Sequence, residues 1–187
     1  MPTPTPDDHS EIITEVESWL ERAVIGLNLC PFARAVHVRQ QIRYIVTTAT
    51  EPEQLVEALT VELNYLHQCD PQKTDTTLII HPWVLEDFSD YNEFLDIADV
   101  ILQGMGLEGE IQIASFHPDY QFSGTHRDDI GNYTNRSPFP ILHLLREESI
   151  DRAVESVPDT DAIYQRNIAT LNKLGKEGWR NLFTKTE

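Results

Sequence analysis

Apolar residues recur at spacings of three and four from Ile12 through Val16, Trp19, Leu20, Val24 and Leu27. That is the period of an amphipathic helix. Ser10 stands where an N-cap belongs, and Glu11 follows at the positive end of the helix dipole. Gly26, Asn28 and the pair Cys30-Pro31 interrupt the run, and proline in the first position of a turn predicts a break and a restart there. The period then changes. Ile42, Tyr44, Val46 and Thr48 alternate with Arg43, Ile45 and Thr47, a β-branched strand closed by the helix-start signal Thr50-Glu51-Pro52. Helical spacing returns from Glu53 to His67 (Leu55, Val56, Leu59, Leu63, Leu66) and ends at Asp70-Pro71. Thr77-Leu78-Ile79-Ile80 is too uniformly apolar to have one face in water, as when helices cover both faces of a sheet. A helix from about Tyr91 to Met105, a strand over Ile111–Phe116, a strand over Ile141–Leu145 and two further helices complete the pattern. The first of those two opens at Ser149 and Ile150, and the last runs from about Asp159 to Phe183.

Strands separated by helices predict parallel crossovers, so the first three strands should lie parallel, with the direction of the fourth open. The expected class is α/β: a mixed, mostly parallel four-stranded sheet flanked by helices, with an N-terminal helix and a C-terminal helix pair. Residues 1–9, alternating Pro and Thr before turning acidic, read as a disordered tail, and residues 10–187 as a single globular domain. No run of about 18 apolar residues occurs, and the N-terminus has neither a basic nor an apolar signal region, which predicts a cytoplasmic protein. Lys and Arg number 14 against 31 Asp and Glu, a formal charge of −17, which disfavours nucleic acid and anionic membrane surfaces as partners. Residues 50–110 carry most of this excess, with Lys73 as their only lysine, and read as a solvated face or an acidic docking surface. The oligomeric state is left open.

Residues 117–140 show no sustained period, and a loop of about 24 residues inside a compact domain is uncommon unless functional. Its polar groups, His117, Asp119, Tyr120, Asn135 and Arg136, stand among glycines that let backbone approach a ligand. His117 reads as a general base, Asp119 (or Asp128) as its orienting carboxylate, and Arg136 as a fork-shaped anion clamp, with Tyr120 and Asn135 positioning a substrate. Two strands run into His-Pro, at His81-Pro82 and His117-Pro118. In a parallel sheet both imidazoles emerge at the carboxyl edge, where ligands of open α/β sheets bind, so His81 joins the candidate set. Cys30 precedes a helical turn whose dipole lowers a thiol pKa, a possible nucleophile. His143 joins the site if its face of the strand meets the polar loop. No GxGxxG, P-loop, CxxC or HExxH spacing occurs, and no lysine falls in the polar segment, so the cofactor is left open.

Cys30-Pro31-Phe32-Ala33 resembles the cysteine-first helix start of glutaredoxin-like and omega-class glutathione transferase proteins, which set it after a strand, whereas here a long helix precedes it. Three longer stretches taken together, Leu27–Ala33, His117–Phe122 and Asn132–Glu147, resemble a bacterial family known as domain of unknown function 1415. The resemblance covers nearly the whole chain after the tail and implies a free-standing single-domain protein, with no activity or catalytic residue to carry over. The leading expectation is an enzyme acting on a small polar or anionic metabolite in a pocket formed by the 117–140 loop, with acyl or thiol chemistry ahead of phosphoryl transfer. One alternative is a metal-binding or metal-sensing protein using Cys30, His117 and His143. Another is a non-enzymatic interaction protein using its acidic helices.

Overall fold

The computed structural model describes residues 6–155 and 160–184. Helix α1 spans Pro6–Trp19 and continues as a π-helical segment, Leu20–Ile25. The helix therefore starts a turn before Ser10, which sits inside it and accepts a hydrogen bond from Thr14 Oγ1 (2.8 Å). Of the expected tail, residues 1–5 lie outside the described residues. Gly26 ends the π segment by donating its N–H to Glu21 O (2.9 Å). A Cβ at this position would lie 2.3 Å from Arg22 O, so the five-residue repeat closes here because glycine leaves room for that carbonyl. After the turn through Cys30 comes α2, Ala33–Val38.

Strand β1 (Ile42–Val46) leads to α3 (Pro52–Gln68), whose N-terminus is closed by Gln54 Oε1 accepting from Thr50 N (2.8 Å) and Glu51 N (3.3 Å). Then follow β2 (Thr76–Ile80), α4 (Phe88–Gly104), β3 (Ile111–Phe116) and β4 (Ile141–Arg146). Asp87 caps α4 through Ser89 N (2.8 Å). Helices α5 (Glu147–Glu155) and α6 (Thr160–Asn181) close the chain. Among the described residues, no helix is long and apolar enough to cross a membrane.

The strand order is β1-β2-β4-β3. β1 and β2 are parallel, whereas β4 runs antiparallel to both β2 and β3. The sheet is therefore mixed rather than mostly parallel. The 117–140 excursion leaves β3 at its carboxyl edge and returns to that same edge, pairing Ile141 with Phe116, so β4 has to run back down. The first three strands do share one direction, as the crossovers require.

Period-two alternation sends neighbouring residues of each strand to opposite faces. Ile79, Leu142 and Leu144 meet Leu55, Leu59, Leu63 and Leu66 of α3 and Phe94, Ala98 and Leu102 of α4 in one core. Leu78, Ile80 and Ile141 meet Val16, Trp19, Leu20, Ala23 and Val24 of the N-terminal segment in the other. On the second face the helical cover leaves an unfilled space against the sheet.

Candidate functional site

The two His-Pro sequences do arrive together at the carboxyl edge. His81 and His117 are both completely buried and pack on either side of Tyr91, with ring centroids 5.7 and 5.0 Å from it. Their nitrogens, however, hold backbone. His81 Nδ1–H donates to Val84 O (2.9 Å), and His117 Nε2–H donates to Leu85 O (3.2 Å) while its Nδ1 accepts from Asp119 N (3.0 Å). Two imidazoles thus clamp successive carbonyls of the β2–α4 loop, where Leu85 takes a left-handed conformation with φ +58°. Burial lowers the pKa of His117 and pushes that of His81 down to about 4, so both rings are neutral near pH 7.

The polar side chains expected to form a site in the 117–140 loop are engaged within the loop or with the end of β3. Asp119 pairs through its carboxylate with Arg127 (2.9 Å), not with the His117 ring. Arg136 donates to Tyr120 O (3.3 Å) and Arg127 O (2.7 Å) and lies over the Tyr133 ring. Asn135 Nδ2 donates to Ser115 O (3.0 Å), and the buried Asn132 accepts from Phe122 N and Thr125 Oγ1. Tyr120 packs its ring against Phe88 and Phe122.

The other face of the sheet encloses a hollow of about 750 Å³. The sheet face beneath it reads as three rows across the strands, and Ile42, Thr76, Leu78, Gln112, Ala114, Phe116, His143 and Leu145 of these rows line the hollow. Ile42, Thr76, Leu145 and Gln112 form the first, at the amino edge of β1 and β2. Tyr44, Leu78, His143 and Ala114 form the second, and Val46, Ile80, Ile141 and Phe116 the third. Trp19, Leu20 and Val24 of the N-terminal segment, the Cys30–Ala33 turn and residues of α2 and α5 make the walls. The hollow exists because Ala114 is small between Gln112 and Phe116, and because Ala33 and Ala35 carry the wall opposite. A cavity of this size and apolar lining is typical of small-molecule sites.

His143 is the polar group that the middle row gives the hollow; Tyr44, at the β1 end of the row, does not line it. Thr76 Oγ1 donates its single proton to Leu144 O (2.6 Å), so its contact with His143 Nε2 (2.7 Å) has the ring donating. That fixes the tautomer and leaves Nδ1 as an unprotonated acceptor. The ring is surrounded by protein yet borders the hollow, and burial pushes its pKa down to about 4. Cys30 lines the same hollow. Burial pushes its thiol up, against a smaller opposing effect of the Phe32 and Ala33 amides. The six-residue helix α2 begins only at Ala33, so its dipole does not make Cys30 the thiolate that the sequence suggested.

A family model described as "Protein of unknown function (DUF1415)" matches residues 11–181. The chain belongs to that family. No curated protein and no solved structure matches it.

The DUF1415 fold brings together Cys30 and His143, and separately His81, His117 and Tyr91, on opposite faces of one sheet. The expected convergence of His117, Arg136 and Cys30 in one hollow is corrected by this placement: the hollow lies beneath the π-helical segment, the Cys30 turn and α2, not under the 117–140 loop, and neither His117 nor Arg136 lines it. The metal reading needs Cys30, His117 and His143 together, and among the described residues no group of three or more His, Cys, Asp or Glu is placed to hold an ion. Thr76, Gln112 and Ala114 escaped notice in the sequence. The available signal was strand alternation, which puts His143 on the face of Ile141 and Leu145 and away from Leu142 and Leu144.

Proposed function

We propose that this DUF1415 protein binds a small molecule with a largely apolar body in the hollow between the sheet and its N-terminal helical segment, with a hydrogen-bond donor of the ligand on His143 Nδ1. The observation that carries the reading is His143 itself: an imidazole locked by Thr76 in one tautomer, with Nδ1 left as an acceptor, lining a mostly apolar 750 Å³ space. A hydrogen bond from the ligand to this acceptor is worth about 0.5–1.5 kcal/mol net, so the ring favours ligands that supply a donor. Binding is favoured over catalysis. Cys30 is held as the neutral thiol, and an imidazole whose pKa is near 4 is a poor base at neutral pH.

The test uses N-phenyl-1-naphthylamine, a neutral apolar probe that brightens out of water. Wild-type protein should bind it saturably at one site, and saturation should slow alkylation of Cys30 by N-ethylmaleimide, measured peptide by peptide. Cys69 serves as the internal control, because its sulfur packs against Arg146 Nη2 (3.2 Å), away from the hollow. Ala114→Trp, which fills the floor beside His143, should weaken probe binding at least tenfold. Should the probe fail to saturate, or Cys30 and Cys69 be protected alike, the hollow is not a ligand site.

A further inference from the structure

The floor of the hollow is graded. The third row gives the hollow Phe116, which is apolar, and Trp19 stands beside it. The middle row gives the hollow Leu78, Ala114 and one acceptor, His143. The first row brings Thr76 and Gln112, and around it the walls change character: Arg39, Gln41, Asp75, Ser149 and Arg152 all line the hollow at this amino edge. Rows lie two residues apart, so the floor runs about 13 Å from its polar edge to its apolar end.

The charges at that edge oppose the trend of the whole chain. Acidic residues outnumber basic ones by 31 to 14, yet the charged side chains lining the hollow are two arginines and one aspartate. Asp75 is already engaged, accepting from Ser149 Oγ (2.6 Å). Arg152 gives one donor to the same hydroxyl (3.1 Å) and keeps the rest of its fork. The side chains of Arg39 and Gln112 make no hydrogen bond among the described residues, and both arginines are exposed at the mouth. A guanidinium presents donors only, and its fork matches a carboxylate.

We infer that the ligand is an amphiphilic acid, its carboxylate held at the amino edge by Arg39, Arg152 and the Gln112 amide, and its largely apolar chain, with one donor group facing His143 Nδ1, lying along the floor towards Phe116 and Trp19. This rests on the hollow being a ligand site, as proposed above, and adds the polarity and direction of the occupant. In a strongly acidic protein an anion is repelled at long range, so its capture requires local cations of this kind.

Displacement of N-phenyl-1-naphthylamine separates the two ideas. Decanoate, decanol and decyltrimethylammonium share one chain length and differ in headgroup charge. Decanoate should displace the probe at least tenfold more effectively than decanol, and the cation should be weakest. In the double variant Arg39→Gln/Arg152→Gln the preference for decanoate should shrink to within about threefold, with decanol unchanged. Equal displacement by decanoate and decanol in wild type, or a preference that survives the double substitution, overturns the assignment of an acid while leaving the apolar site standing. Failure of all three to displace a bound probe overturns both. Both arginines are exposed, Arg39 just after α2 and Arg152 on α5, so their replacement leaves the core intact, and an unchanged probe affinity checks this.

Discussion

Lowering the pH from 7 to 5 should destabilise the protein through its buried imidazoles, and His143 isolates the effect. Burial pushes the pKa of His143, and of His81 on the other face, to about 4, against an ordinary value near 6.5. Between those values the unfolded chain takes up a proton that the folded chain refuses, so the stability conferred is complete above about pH 6.5 and is lost as the pH falls towards 4. Each imidazole contributes a slope of about 1.4 kcal/mol per pH unit in that window, hence a loss of roughly 2 kcal/mol each, or about 4 kcal/mol together, on going from pH 7 to 5. That is a large part of the 5–15 kcal/mol typical of a domain. Urea denaturation at half-unit intervals from pH 7 to 5 gives the total slope, which the many carboxylates also affect. The decisive quantity is a difference. His143→Gln removes one titrating ring and nothing else that ionises, so its slope between pH 5 and 6 should be shallower than wild type by about 1.4 kcal/mol per pH unit. Identical slopes would show that His143 takes up its proton in the folded state as easily as in water. The hollow would then be an open, wet cleft rather than an enclosed apolar site.

Three other perturbations follow from contacts at single positions. Gly26→Ala places a methyl group 2.3 Å from Arg22 O, a backbone atom that can yield only if the π segment rewinds; it should lower stability by about 1–3 kcal/mol and shift Trp19 fluorescence, since that residue begins the same wall. Arg146 is buried, and the two N–H groups of its Nη2 are shared among Leu66 O (2.6 Å), Cys69 O (3.1 Å) and Thr74 O (3.3 Å), holding the end of α3 against the start of β2. Arg146→Met keeps much of the volume but orphans those carbonyls, and should cost about 2–4 kcal/mol in chemical denaturation. Thr76→Val removes the hydroxyl that fixes the His143 tautomer; stability should fall by about 1–2 kcal/mol, and the affinity for a probe that donates to Nδ1 should fall with it, whereas a probe with no donor should bind as before.

The elements were legible in the sequence because each carries its own period. The third strand, Ile111–Phe116, falls where alternation and flanking turns put it, and α3 begins at the Thr50-Glu51-Pro52 signal because Gln54 completes its cap. The direction of β4 was not legible, since it depends on which edge the 117–140 loop returns to and no local period records that. The hollow was less legible still. A cavity is defined by side chains that fail to meet, and here the small residues responsible, Ala33, Ala35 and Ala114, come from elements far apart in the chain. Their absence of bulk has meaning only once α2 faces β3. The 117–140 loop misled for a related reason: a long irregular segment must satisfy its own backbone, and the amides and guanidinium that suggested a pocket wall are the groups doing so.

His81 and His117 show where residue-level chemistry and geometry part. Two strands ending in His-Pro suggested a shared location, and the location is shared: both rings touch Tyr91, whose hydroxyl donates to Ile141 O (2.8 Å) and accepts from Phe116 N (3.1 Å) where β3 and β4 meet. A catalytic imidazole and a loop clamp require the same residue type at the same strand end, so the motif alone does not choose between them. The choice lies in what each nitrogen faces. At His117 both nitrogens are occupied by backbone, leaving no lone pair for a substrate. At His81 one nitrogen is occupied and Nε2 is buried with no hydrogen-bond partner among the described residues. His143, in the middle of an apolar strand and the least conspicuous of the three, is the one whose remaining lone pair belongs to a ring bordering a space large enough for a ligand.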